Sequence, residues 1–166
     1  GYYSLAEFGG FVMASIHESI QMYADASTLE EIDRFVAEPF ISGFTTNPTL
    51  IRKGGYSDYR GFAEAAIERA QGLPLSLEVV TDDIDEMILQ GRRLASWGSN
   101  VFVKIPIMTT SGKSTLRAVT ELLESGVAVN VTAILTSAQV DSVAAILHPD
   151  SDVIVSVFAG RIADTG

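Results

Sequence analysis

The feature that most constrains this chain is a repeated alternation inside its short apolar runs. Leu75, Leu77 and Val79 alternate with Ser76 and Glu78, and Val101, Val103 and Ile105 alternate with Phe102 and Lys104. Val127, Val129 and Val131 alternate with Ala128, Asn130 and Thr132, and Val153, Val155 and Val157 with Ile154, Ser156 and Phe158. Successive side chains of a strand point to opposite faces. Each run therefore keeps one face apolar and sends polar groups to the other, toward its C-terminal end.

With Gln21–Asp25 and Ile41–Thr45 these runs make six strand candidates, Leu75–Val79, Val101–Ile105, Val127–Thr132 and Val153–Phe158 being the others. Between them lie segments with apolar residues at helical spacing. Leu29, Ile32, Phe35 and Val36 form one stripe; Ile84, Met87, Ile88, Gly91, Leu94 and Ala95 form another. Leu116, Val119, Leu122 and Leu123 form a third, and Val140, Val143, Ala144 and Leu147 a fourth. A helix over about 58–70 is Ala-rich with a less clean stripe. Ser27-x-x-Glu30 and Thr136-x-x-Gln139 have the form of capping boxes, Asp82 and Asp83 precede Ile84, and Gly126 reads as a stop.

Alternating strands and helices imply parallel strands joined by crossover helices. An open doubly wound sheet is covered by helices on both faces and should be apolar on both. A closed barrel collects polar groups at the C-terminal mouth, where its active site lies. The alternation favours an α/β chain of the TIM (β/α)8 barrel kind. Six strands fall short of the eight of a full barrel, so the barrel is expected to be incomplete. Residues 20–166 are assigned to it; residues 1–19 read as an N-terminal extension or an appended remnant, with Met13 one reading of the natural start.

Charge and composition narrow the function. A net charge of -10 sets nucleic acid and anionic membranes low as partners, but leaves room for a locally positive site that takes a phosphorylated substrate. No apolar run reaches the roughly 18 residues of a membrane span, and no basic-then-apolar leader is seen at the N-terminus. The chain has no cysteine, which removes disulfides, thiolate nucleophiles and Cys-based metal sites and suits a cytoplasmic location. His17 and His148 have no metal-ligand company, so no metal is expected.

Lys104 stands at the end of an apolar strand, on the inward parity, with Pro106 just beyond. Desolvation disfavours an ammonium, and a neutral amine attacks a ketone to form a Schiff base. The plainer reading is a lysine that reaches out of the mouth to solvent. Glu78 and Asp25 share that parity and strand end; they suit acid/base work, and a simple Lys104–Glu78 ion pair suits Glu78 equally well. Asn47, in Thr45-Thr46-Asn47-Pro48, either turns the chain or offers its amide to the mouth. Asn130, Thr132 and Ser156 are candidates for sugar hydroxyls, and each is equally a satisfied core residue. Arg161 could hold phosphate or be a surface charge. The stretch from Thr110 to Thr115 lacks the first glycine of a phosphate loop and is rejected as one.

Taken together, these residues resemble the transaldolase family. Tyr23-Ala24-Asp25-Ala26-Ser27 is similar to its first-strand motif, and Gly43-Phe44-Thr45-Thr46-Asn47-Pro48-Thr49 to its Thr-Thr-Asn-Pro signature. Ser76-Leu77-Glu78-Val79, Val103-Lys104-Ile105-Pro106, Asn130-Val131-Thr132 and Ser156-Val157-Phe158-Ala159-Gly160-Arg161 resemble later strand ends in the family's order. The resemblance implies that Lys104 forms the Schiff base with a ketose phosphate and that Asp25 serves carbon–carbon cleavage. It implies a proton-shuttling water held by Glu78 and Thr132. Asn47, Asn130, Ser156 and Phe158 would line the substrate site and Arg161 would bind phosphate. No cofactor is implied, because the imine is the electron sink. Sugar phosphates are the expected partners, a homo-oligomer the expected state, and the last two strands would lie beyond Gly166. The fructose 6-phosphate aldolase branch resembles a sequence with Gln at position 78 and Tyr at 158; Glu78 and Phe158 favour transaldolase. Ser-Val-Phe-Ala-Gly-Arg departs from the commoner Ser-Pro-Phe-Val-Gly-Arg, which bears on the acceptor sugar. A silent phosphosugar-binding protein on the same fold is the alternative from another class.

Overall fold

The computed structural model describes residues 21–158. The segment 1–19, His17 and Arg161 lie outside the described residues. Among the described residues six strands run in chain order: β1 (Met22–Asp25), β2 (Ile41–Thr45), β3 (Leu75–Glu78), β4 (Val101–Pro106), β5 (Val129–Ile134) and β6 (Val153–Val157). They form one sheet in the order β1-β2-β3-β4-β5-β6, every neighbouring pair parallel. A doubly wound sheet reverses its strand order partway; this one never does. It is an incomplete parallel α/β barrel of the TIM type.

Six helices connect the strands: α1 (Leu29–Val36), α2 (Pro48–Lys53), α3 (Tyr59–Arg69), α4 (Ile84–Ala95), α5 (Leu116–Glu124) and α6 (Ser137–Ala144). None among the described residues is long and apolar enough to cross a membrane. The apolar stripes meet the outward parity of the strands. Val103, Ile105, Val129 and Val131 are fully buried, as are Ile32, Ala66, Val119 and Leu122 from the helices. Gly91 lets α4 lie close to α5, since a Cβ there would meet Leu122 Cδ1 at 2.7 Å.

Several details differ from the sequence reading. Helix α2 was not expected: Asn47-Pro48 does more than turn the chain, because Asn47 caps a helix that has Pro48 in its first turn. Pro fits there because the first helical N–H has no partner to lose. Strand β4 runs through Pro106 instead of ending before it. Strand β5 starts at Val129 and runs to Ile134, two residues later than the alternation suggested. The first capping box is shifted by one. Thr28 accepts from Glu31 N at 3.2 Å, and the Glu31 carboxylate accepts from Thr28 N at 3.2 Å, Ser27 N at 2.7 Å and Ser27 Oγ at 2.8 Å. The Thr136–Gln139 box forms as read, and Asp83 caps α4.

The Glu31 clasp holds the turn that follows Asp25, and the Ser27 N–H first, then the Ser27 hydroxyl, keep its carboxyl below the usual carboxylate range. A depressed folded-state pKa contributes stability above the unfolded pKa, and that contribution is lost as pH falls through the folded one. Glu31→Gln is expected to cost about 0.5–1 kcal/mol at neutral pH. The gap to the native protein should close as acid is added, and urea unfolding at pH 7 and near pH 3 checks both points.

Candidate active site

The ladder decides which side chains share a face. Glu78 pairs with Lys104, and Lys104 with Asn130, while Pro106 pairs with Thr132. Asp25 pairs with Thr45, and Thr45 with Ser76. Paired residues of a sheet point the same way, and Ser76 and Glu78 are two apart on one strand. The inward parity thus carries Asp25, Thr45, Ser76, Glu78, Lys104, Asn130 and Thr132 together.

At the C-terminal end of the strands lies a cavity of about 390 Å³. Lys104, Glu78 and Thr132 line it, with Asn47, Pro106 and Phe158. The Lys104 ammonium sits 3.3 Å from Glu78 Oε2 and donates to the Thr46 carbonyl at 3.1 Å. Its side chain is 12% exposed and that of Glu78 is 21% exposed, so the pair faces the cavity and not bulk solvent. The lysine does not reach out of the mouth. Asn47 spends Oδ1 on its cap, accepting from Leu50 N at 2.8 Å, and an amide has two further donors for other work.

Asn130 and Ser156 do not line the cavity; they belong to a hydrogen-bonded chain across the inward face. Asn130 Nδ2 donates to Ser76 Oγ at 3.0 Å, and Ser156 Oγ donates to Asn130 Oδ1 at 2.8 Å. Asn130 is fully buried with both ends of its amide taken, which is the arrangement of a satisfied core residue. Asp25 is exposed in β1 and its carboxylate accepts from the Thr45 hydroxyl. It stands level with Ser76 on the ladder, one inward position before Glu78.

Five contributors escaped the sequence reading as individual residues. Thr45 and Ser76 lie inside the quoted motifs, but their partners come from strands 20 and 54 residues away in sequence. Thr46 gives Lys104 its carbonyl while its own hydroxyl donates to the Ser76 carbonyl at 2.8 Å. Tyr59, at the start of α3, donates its hydroxyl to the Glu78 carbonyl at 3.1 Å. Ala133, next to Thr132, has φ 60 and sits where the β5–β6 register shifts. A bulge of this kind re-aims the side chains beside it, and alanine gives no sequence signal for it. At the rim, the Asp82 carboxylate takes the Thr110 hydroxyl and the Thr110 N–H, and it is held below its usual range by that hydroxyl first. The rejected phosphate-loop stretch is a small bridged loop, with Met108 paired to Ser114 and Gly112 at φ 78. Among the described residues no three His, Asp or Glu side chains gather as a metal would require.

A family model described as Transaldolase/Fructose-6-phosphate aldolase matches residues 22–166. The chain belongs to the transaldolase/fructose-6-phosphate aldolase family. It is 40% identical over 144 residues to a "Probable transaldolase" of Maridesulfovibrio salexigens, covering 86% of this chain and 62% of the relative. It is 35% identical over 147 residues to a "Probable transaldolase" of Herpetosiphon aurantiacus, covering 89% and 62%. A third, from Aquifex aeolicus, is 37% identical over 145 residues, covering 87% and 62%. The chain thus spans about 62% of the length of these transaldolase-family relatives.

The pair gives a direct stability test. Removing one partner of an enclosed ion pair leaves the other uncompensated, whereas removing both is nearly neutral. Lys104→Met is expected to cost about 1–2 kcal/mol, less than for a fully buried pair because the cavity admits water. Lys104→Met with Glu78→Leu should recover most of that loss in urea unfolding. A double variant no more stable than the single one would mean the pair does not hold the charges as described.

Proposed function

We propose that the whole protein is a transaldolase that moves a dihydroxyacetone unit from a ketose phosphate to an aldose phosphate through a Schiff base on Lys104. One observation carries the reading: a lysine and a carboxylate on adjacent strands meet at matched register inside a cavity that Thr132 also lines. Membership of an aldolase-type enzyme family supports it, and so does the printed name of the relatives. Glu78 and Phe158, where the aldolase branch resembles Gln and Tyr, favour transfer over release.

The chemistry follows from the groups. Lys104 gives a proton to Glu78, its freed amine adds to the ketone carbon, and the oxygen leaves as water once Glu78, through a water held with Thr132, returns that proton. The result is a protonated imine. Asp25 takes the proton from the hydroxyl on the carbon beyond the bond to be broken. That bond breaks, its electron pair enters the imine to give an enamine, and an aldehyde leaves. The enamine then adds to the acceptor aldehyde, the proton returns, and water releases the new ketose from Lys104. Asn47 and Phe158 stand on the cavity wall against which the sugar lies, and Arg161 takes the phosphate. No bond change requires a cofactor.

Borohydride reduction in the presence of fructose 6-phosphate, read by peptide mass spectrometry, tests the central step. A reduced three-carbon adduct on Lys104 is expected, and its absence on folded whole protein would overturn the reading. Adding an aldose phosphate acceptor should then give a new ketose phosphate faster than free dihydroxyacetone appears. Faster release would assign the aldolase branch instead.

A further inference from the structure

Strand β3 hydrogen-bonds to β2 in steps of two residues. Phe44 N donates to Pro74 O at 2.7 Å, and Thr46 N donates to Ser76 O at 3.1 Å. The next step on β2 falls on residue 48 and the next on β3 on Glu78. Residue 48 is proline, which has no N–H to give, and the chain there has already turned into α2. The Glu78 carbonyl is met instead by the Tyr59 hydroxyl, at 3.1 Å.

Tyr59 is placed for that role by its own packing. It opens α3, and its ring lies tilted against Trp97 with centroids 6.5 Å apart. Burial, first of all, raises its hydroxyl far above the usual tyrosine range, so it stays a protonated donor at any working pH. Across the ladder on the other side, Val79 N donates to Lys104 O at 3.2 Å. The peptide that joins Glu78 to Val79 is therefore held on both sides, its N–H by a backbone bond to β4 and its carbonyl by Tyr59.

We infer that Tyr59 is a positioning residue for Glu78: its hydroxyl replaces the ladder donor that Pro48 lacks and fixes the strand end from which the Glu78 carboxylate meets Lys104. The inference rests on the proposed role of Glu78 in imine formation, and it deepens that role. Tyr59 is not among the residues that line the cavity, and it acts through the backbone of Glu78.

Tyr59→Phe in the whole protein removes the hydroxyl and keeps the ring. Its crystal structure should show the Lys104–Glu78 separation lengthened from 3.3 Å. The rate of borohydride-trapped adduct formation with fructose 6-phosphate should fall about tenfold, a modest share of what a general acid/base supplies. Trp97→Phe, which thins the packing on the Tyr59 ring and keeps the hydroxyl, should trap at the native rate. An unmoved Glu78 carboxylate in Tyr59→Phe overturns the inference, as does a native trapping rate. Equal slowing in both variants also overturns it, because that marks simple packing. If the native protein itself forms no adduct, the Schiff-base reading falls, and the crystal structure of Tyr59→Phe alone decides whether the hydroxyl positions Glu78.

Discussion

Lys104 and Glu78 meet because β3 and β4 are paired without a shift from Leu75↔Val101 to Glu78↔Lys104. That register is what the rest depends on. A slip of one residue would send Lys104 into the helix layer and bring Val103 or Ile105 to the cavity. The apolar parity prevents it. Leu77, Val103 and Ile105 are fully buried under the helices, and no alternative register hides them without exposing the charges to the core. The core thus sets the site: the energy that buries one face of each strand aims the polar groups of the other.

The polar layer is satisfied internally. Among the described residues no buried side-chain nitrogen or oxygen lacks a partner. Asn130 links β3 to β6 by way of Ser76 and Ser156, although the strands themselves are separated by β4 and β5. A fully satisfied polar network orders side chains that an apolar core would leave to shape alone. It leaves Lys104 and Glu78, at the edge of that network, as the charged groups on the cavity wall.

Much of this is legible in the amino-acid sequence. The parity of four runs gave the barrel wall, the inward face and the lysine at its mouth, because a period of two survives in sequence whatever the tertiary context. The helices with clear stripes were legible for the same reason. What was missed has physical causes. Helix α2 spans six residues, too short to show a helical period. The left-handed Ala133 is invisible because alanine has no preference for that conformation. The Asp25–Thr45 bond depends on how two strands pair, and pairing is a long-range fact. Ser27 and Thr28 are adjacent hydroxyl residues followed by adjacent glutamates, so the pattern could not choose between two cap registers one residue apart.

The C-terminal rim shows why strand ends suit chemistry in this architecture. Inside the wall, backbone groups answer one another. At the rim the chains diverge into loops and helices, and two of the positions there, Pro48 and Pro106, bring no N–H at all. Side chains take over the pairing. Thr115 Oγ1 donates to Pro106 O at 2.6 Å, Thr46 Oγ1 to Ser76 O at 2.8 Å, and Lys104 Nζ to Thr46 O at 3.1 Å. A backbone pair is fixed by the fold, but a side-chain pair is fixed by the residue chosen. The rim is thus where substitution can alter the position of a carbonyl or an amine without unpicking the sheet, and it is where this chain keeps Lys104.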